Sequence, residues 1–231
     1  MYKIFFLTIV CFFLFSCQNG TESSFWGNAT PTKKPFYLVD FNKNMSKIPD
    51  DFFVMDGHFQ VKKLGYEEKA GKSIDNWALF LKPYPLNNYV MLFGPESVEG
   101  LVVSVDVYTS PKGKTSPSFG VGSHGISGLK LLMSQNRGGG LLKLVYNETQ
   151  VIATTPCKWV PDQWCRIQMK VVKTKEGVEV FGRSWTRKEK MTPWTLSYKG
   201  NLKIEEGQCS IIGIPYSGRD INFDNLAISK P

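Results

Sequence analysis

Histidine is almost missing from this chain of 231 residues, which has two, and cysteine is sparse at five. No Cys-x-x-Cys occurs, and His58 and His124 lie far apart. Zinc-ligand spacing is therefore absent, and neither histidine is placed as the base of a nucleophile pair. Also lacking is Glu-x-Asp-x-x-Glu, which would set two carboxyl groups on one strand face about 5 Å apart for retaining glycoside hydrolysis. The adjacent acids Glu67-Glu68 and Glu205-Glu206 sit in turn-like contexts and read as solvated charges. Gly120-Val121-Gly122-Ser123-His124-Gly125 matches a phosphate-loop spelling, but a turn and a strand follow it instead of a helix, which excludes a nucleotide site. Acidic residues are the minority, 20 against 28 Lys and Arg, for a net charge of +8. These cations are dispersed, with short pairs such as Lys33-Lys34 and Arg187-Lys188 and no arginine-rich run. The pattern excludes nucleic acid as a partner and suits a protein near an anionic membrane or acidic polysaccharide.

Long apolar runs are missing too, with one instructive near-exception. Lys3 precedes the uncharged segment Ile4–Phe15. Twelve residues would span only ~18 Å as a helix, short of the roughly 30 Å hydrocarbon core. One cation, a short apolar stretch and a small residue form the pattern of a secretory signal. Leu14-Phe15-Ser16-Cys17 resembles the bacterial lipobox, departing from it at Phe15. That resemblance implies a signal peptide over 1–16 and lipidation of Cys17. Gln18 follows where an Asp would retain the protein at the inner membrane, so the outer membrane is the expected location. Residues 17–35 have the Gly, Ser, Thr, Asn and Pro content of a linker. A single domain is expected over 36–231.

Within that domain no amphipathic stretch is long enough for a sizeable helix, and the period is two. Leu101, Val103, Val105 and Val107 alternate with Val102, Ser104, Asp106 and Tyr108. Cys165, Ile167, Met169 and Val171 alternate with Arg166, Gln168, Lys170 and Val172. Further strands are predicted over 52–55, 59–64, 77–81, 90–93, 119–122, 129–134, 141–146, 150–154, 178–185, 210–215 and 221–228, punctuated by Gly, Pro, Asn and Asp. About a dozen short strands predict an all-β, two-sheet antiparallel jelly roll. Near the end, Ile221 and Phe223 sit in one phase and Leu226 and Ile228 in the other. A β-bulge at Asp224-Asn225 would achieve that flip.

Phe223-Asp224-Asn225-Leu226-Ala227-Ile228 resembles the closing strand of concanavalin A/laminin-G-like jelly rolls and of calcium-bearing carbohydrate-binding modules. The turn at Asp56-Gly57 and the segment Trp164-Cys165-Arg166-Ile167 are similar to further motifs of these domains, which recur in 3-keto-disaccharide hydrolase-like proteins and sugar-binding lipoproteins. The resemblance implies a concanavalin A-like sandwich and a carbohydrate ligand. It also implies antiparallel pairing of the first and last strands, bringing Asp40 opposite Asp224 with a structural Ca²⁺ between them.

Three cysteines remain in the domain. Cys157 with Cys165 would close a short loop, stabilising by ~2.5 kcal/mol, and Cys165 with Cys209 is the competing pair. For ligand contact, Glu179, Phe181, Arg183 and Trp185 share one strand face because they lie two apart, while Val178 and Val180 point the other way. Tyr216 adds a further aromatic ring. Three functions fit this reading: glycan binding, glycoside hydrolysis, or structural adhesion to another envelope protein. The absence of a carboxylate pair favours binding.

Overall fold

Alternating apolar residues put one side of each strand in oil and the other in water, and two such sheets cover each other's apolar sides. The computed structural model describes residues 34–41, 47–64, 77–83, 87–136 and 139–231. The expected signal segment, Cys17, the expected linker as far as Lys33 and the Glu67-Glu68 pair lie outside them. Among the described residues every regular element is a strand.

The front sheet runs in the order β13 (Leu196–Gly200), β12 (Gly177–Thr186), β11 (Cys165–Thr174), β6 (Leu101–Tyr108), β15 (Ile221–Ser229), β4 (Trp77–Leu81) and β3 (Phe59–Lys63). An eighth strand, β1 (Tyr37–Val39), joins β15 beside its C-terminal half, where Val39 lies opposite Leu226 and Tyr37 opposite Ile228. The back sheet runs β10 (Gln150–Cys157), β9 (Gly139–Tyr146), β8 (Leu129–Asn136), β7 (Ser118–Ser123), β14 (Gly207–Ile214), β5 (Tyr89–Ser97) and β2 (Phe53–Asp56). All pairings are antiparallel, and the result is the predicted jelly-roll sandwich.

Between the sheets lies one continuous core. Val103, Val105, Ile167, Met169, Val180, Phe223 and Leu226 from the front meet Met91, Phe93, Phe119, Leu131, Leu142 and Ile211 from the back. Burying such a side chain stabilises by about 1.5–3 kcal/mol each. The expected phase flip is present. On β15, Asp224 pairs with Asp106 and Ala227 with Ser104, so two residues oppose one, and Asn225 takes a left-handed φ of 51°. The bulge returns Leu226 and Ile228 to the core after Phe223 and leaves Asp224 on the outer face.

The bridge favoured between Cys157 and Cys165 is not formed, nor is the competing one, because Cys157, Cys165 and Cys209 are all free thiols. Residues 158–164 carry the chain from the back sheet to the front one, so Cys157 and Cys165 approach the core from opposite sheets.

Candidate functional site

The outer face of the front sheet holds half of the buried polar side chains among the described residues, and antiparallel register arranges them in rows. Trp185, Arg166, Asp106 and Asp224 form one row across β12, β11, β6 and β15. Arg183, Gln168, Ser104 and Ala227 form the next, and Phe181, Lys170, Val102 and Ser229 a third. On the other side of the first row, Tyr108 pairs with Asn222, which pairs with Phe80.

Asp106 and Asp224 are the centre of this face, and both are almost fully buried. An ionised carboxylate tolerates burial only with charge and hydrogen-bond partners. Arg166 Nε donates to Asp106 Oδ1, and Arg187 Nε lies 3.4 Å from Asp106 Oδ2. Asn225 Nδ2 bridges the pair, 2.9 Å from Asp106 Oδ2 and 3.0 Å from Asp224 Oδ2. The backbone N–H groups of Asn225 and Phe41 donate to Asp224 Oδ1, at 2.8 Å and 3.4 Å. Burial foremost, then the nearby carboxylates of Asp106 and Asp40, push the Asp224 carboxyl up to about 7, against the pull of the Asn225 N–H and Arg187.

Asp40 comes near enough to raise Asp224, but β1 pairs only as far as Val39 opposite Leu226, so the two acids are not set opposite each other as the resemblance implied. The groups around Asp224, however, do not fit the expected Ca²⁺, which takes oxygen ligands. Its oxygens face N–H donors, and the Arg187 guanidinium lies 3.9 Å from Oδ2. Among the described residues no group of three or more His, Cys, Asp or Glu is placed to hold a metal.

Beside the carboxylates lies an aromatic and cationic cluster. Arg183 is held by Gln168 Oε1, 2.8 Å from Nε, and by the Thr192 carbonyl, 3.1 Å from a terminal nitrogen. Its guanidinium carbon sits 4.0 Å from the centre of the Trp194 ring and 5.4 Å from that of Trp185. Lys170 Nζ lies over two rings, 4.6 Å from Phe181 and 5.4 Å from Trp194. Phe181 and Trp194 are themselves 6.1 Å apart. At the far end of the face Trp164 packs on Tyr108 at 5.7 Å, within a small apolar cluster with Leu64 and Ala78, and Arg187 sits 5.9 Å from its ring.

Of the residues singled out from sequence, Phe181, Arg183 and Trp185 come together here, facing away from the core into which Val178 and Val180 point. Glu179 is on the same face but at its rim, paired with Lys199 at 2.9 Å. Tyr216 is half exposed in the turn between β14 and β15, and no described contact joins it to the other four. Asp106, Arg166, Gln168, Lys170 and Arg187 were not singled out. Their signal was the polar phase of β6 and β11, which by itself reads as an ordinary solvent-facing row.

This architecture is an all-β jelly-roll sandwich, a fold shared with lectin-like and galectin-like solved structures. Three solved structures share it over most of the described chain. One is a glycoside hydrolase of the GH43 group engineered for endo-xylanase and exo-arabinofuranosidase activity. Its TM-score is 0.55 at 10% identity, covering 88% of this chain and 42% of that one. Another is a Bacillus subtilis protein of unknown function with a galectin-like fold, with a TM-score of 0.54 at 12% identity, covering 87% of this chain and 97% of that one. The third is the carbohydrate recognition domain of Emp47p, with a TM-score of 0.53 at 11% identity, covering 84% and 95%. No family model matches the sequence, and no curated protein matches it either.

Proposed function

We propose that the protein is a lipid-anchored envelope protein whose front sheet binds a glycan. The observation that carries this reading is the outer row of the front sheet, where Trp185, Trp194 and Phe181 surround Arg183 and Lys170. Aromatic faces take the C–H side of a sugar ring, and fixed planar donors orient its hydroxyls. Similarity of fold to a carbohydrate recognition domain supports the same reading. Anchoring rests on the lipobox-like Leu14–Cys17 and on the linker after it, with the outer membrane as the destination.

Binding is preferred to hydrolysis on the chemistry of the carboxylates. Asp106 and Asp224 are closed in by Arg166, Arg187 and Asn225 and reach no open surface, whereas hydrolysis needs two carboxyl groups flanking a sugar bond. Adhesion to another envelope protein has no observation of its own in its favour.

Two measurements test the proposal. Full chain in detergent micelles on a glycan array should retain at least one glycan, and a Trp194→Ala variant should lose it. A blank array, or retention that survives W194A, would sink the binding reading, and release of sugar from the bound glycan would replace it with hydrolysis. In cells, labelled palmitate should attach to the chain and not to its Cys17→Ala variant.

A further inference from the structure

We propose that the glycan taken by this face is anionic, carrying a carboxylate or a sulfate that meets Lys170 and Arg183. The inference rests on the glycan-binding reading and names the chemistry of its ligand.

Matching of charges on the front face is the basis. Its acidic groups each have their own cation. Glu179 has Lys199, and Asp106 and Asp224 share Arg166 and Arg187. Just beyond the face, Glu189 has Lys158. Lys170 and Arg183 are left over. Among the described residues neither has a carboxylate partner, and the acceptors of Arg183, Gln168 Oε1 and the Thr192 carbonyl, are neutral. Two adjacent positive charges are thus surplus at the β11–β12 end of this face.

The surplus is also costly to maintain. Arg183 is only 6% exposed, and burial pushes its guanidinium down to about 10. Lys170 holds its ammonium over Phe181 and Trp194, where the ring faces compensate only part of the charge. An anion brought to this point neutralises Arg183, which has already shed most of its water, so its charge-assisted hydrogen bond there forms at low further cost. Trp194 and Phe181 are both partly exposed, so they offer a sugar ring apolar surface next to the same cations. Acid group and ring surface therefore belong to one ligand of about one sugar unit.

The test is calorimetry of the full chain in micelles with four probes: an oligogalacturonate, its methyl ester, a sulfated heparin oligosaccharide, and a neutral xylo-oligosaccharide. We expect one of the charged probes to bind at least tenfold more tightly than the ester and the neutral sugar, with affinity falling as salt rises. Galacturonate or heparin as the preferred probe tells carboxylate from sulfate. Lys170→Met should weaken that binding about tenfold, a difference of ~1.4 kcal/mol, and flatten its salt dependence, while Lys170→Arg keeps both. Lys143→Met, on the opposite sheet, should change neither, which separates this site from general attraction to a basic protein. Equal binding of acid and ester, or an equal effect of K143M, overturns the anionic inference and leaves glycan binding standing. Failure of all four probes together with a blank glycan array overturns both.

Discussion

Asp106 and Asp224 stand opposite each other on β6 and β15, two buried carboxyl groups as direct cross-strand neighbours. Like charges in that position repel, and here Asn225 bridges them while Arg166 and Arg187 supply the opposing charge. The arrangement ties the closing strand to the middle of the sheet, so its energetics should be readable in stability.

The first prediction concerns pH. The Asp224 carboxyl is raised from 3.8 to about 7 in the fold. Between those values the native protein holds a proton that the unfolded chain has released, so stability falls as pH rises through this window. His124 works the other way: burial lowers its pKa, and it adds stability that is lost as pH falls through and below 6.5. The Asp224→Asn variant isolates the first effect. Urea melts at pH 5 and pH 8 should show a loss of stability toward pH 8 in the parent that is larger than in D224N. Equal slopes would refute the assignment.

Removing Arg166 should be severe. Arg166→Met strips Asp106 of its closest cation and leaves a buried charge short of a partner, which costs about 3–5 kcal/mol. Arg166→Met combined with Asp106→Leu should recover most of that loss, because the unpaired charge goes as well. Chemical denaturation of the two variants checks both statements.

The two sheets approach closely at Gly182. A Cβ added there would lie 2.8 Å from Leu131 Cδ1 of the back sheet. Gly182→Ala should therefore destabilise by roughly 1–3 kcal/mol through overpacking, and Gly182→Ala with Leu131→Ala should cost less than the sum of the two single changes. Thermal melts measure the coupling.

Thiol chemistry gives a fourth outcome. Burial pushes the thiols of Cys165 and Cys209 far up, and that of Cys157 up as well. Thiolate is the reactive form, so the native protein should label with a thiol reagent slowly and first at Cys157, the least buried of the three. In denaturant all three should label. Rapid native labelling of Cys165 would contradict the packing.

Much of the scaffold was legible because strand alternation reports directly on a two-sided sheet. Leu101 to Tyr108 and Cys165 to Val172 fold in the phase their side chains display, and the flip between Phe223 and Leu226 located the bulge at Asp224-Asn225. β13 was not expected: five residues at a sheet edge, with Leu196 and Tyr198 as the only inward pair, carry too little periodicity to announce a strand.

The site was legible in part. Spacing by two put Phe181, Arg183 and Trp185 on one face, since that is a property of a single strand. Which strands lie beside β12 and β15 is a matter of topology. Neither the meeting of Arg166 with Asp106 nor that of Trp194 with Arg183 is encoded in any local pattern. The disulfide expectation failed as well: spacing in sequence does not fix thiol geometry, and Cys157 and Cys165 stand on different sheets with both thiols free.

The placement of β15 bears on how the molecule is made. This most C-terminal strand lies in the interior of its sheet, flanked by β6 on one side and by β4 and β1 end to end on the other. Until residues 221–229 are available, two half-sheets must wait with open edges. One strand therefore controls when the front sheet becomes continuous, and the two halves it joins cannot mature independently of it.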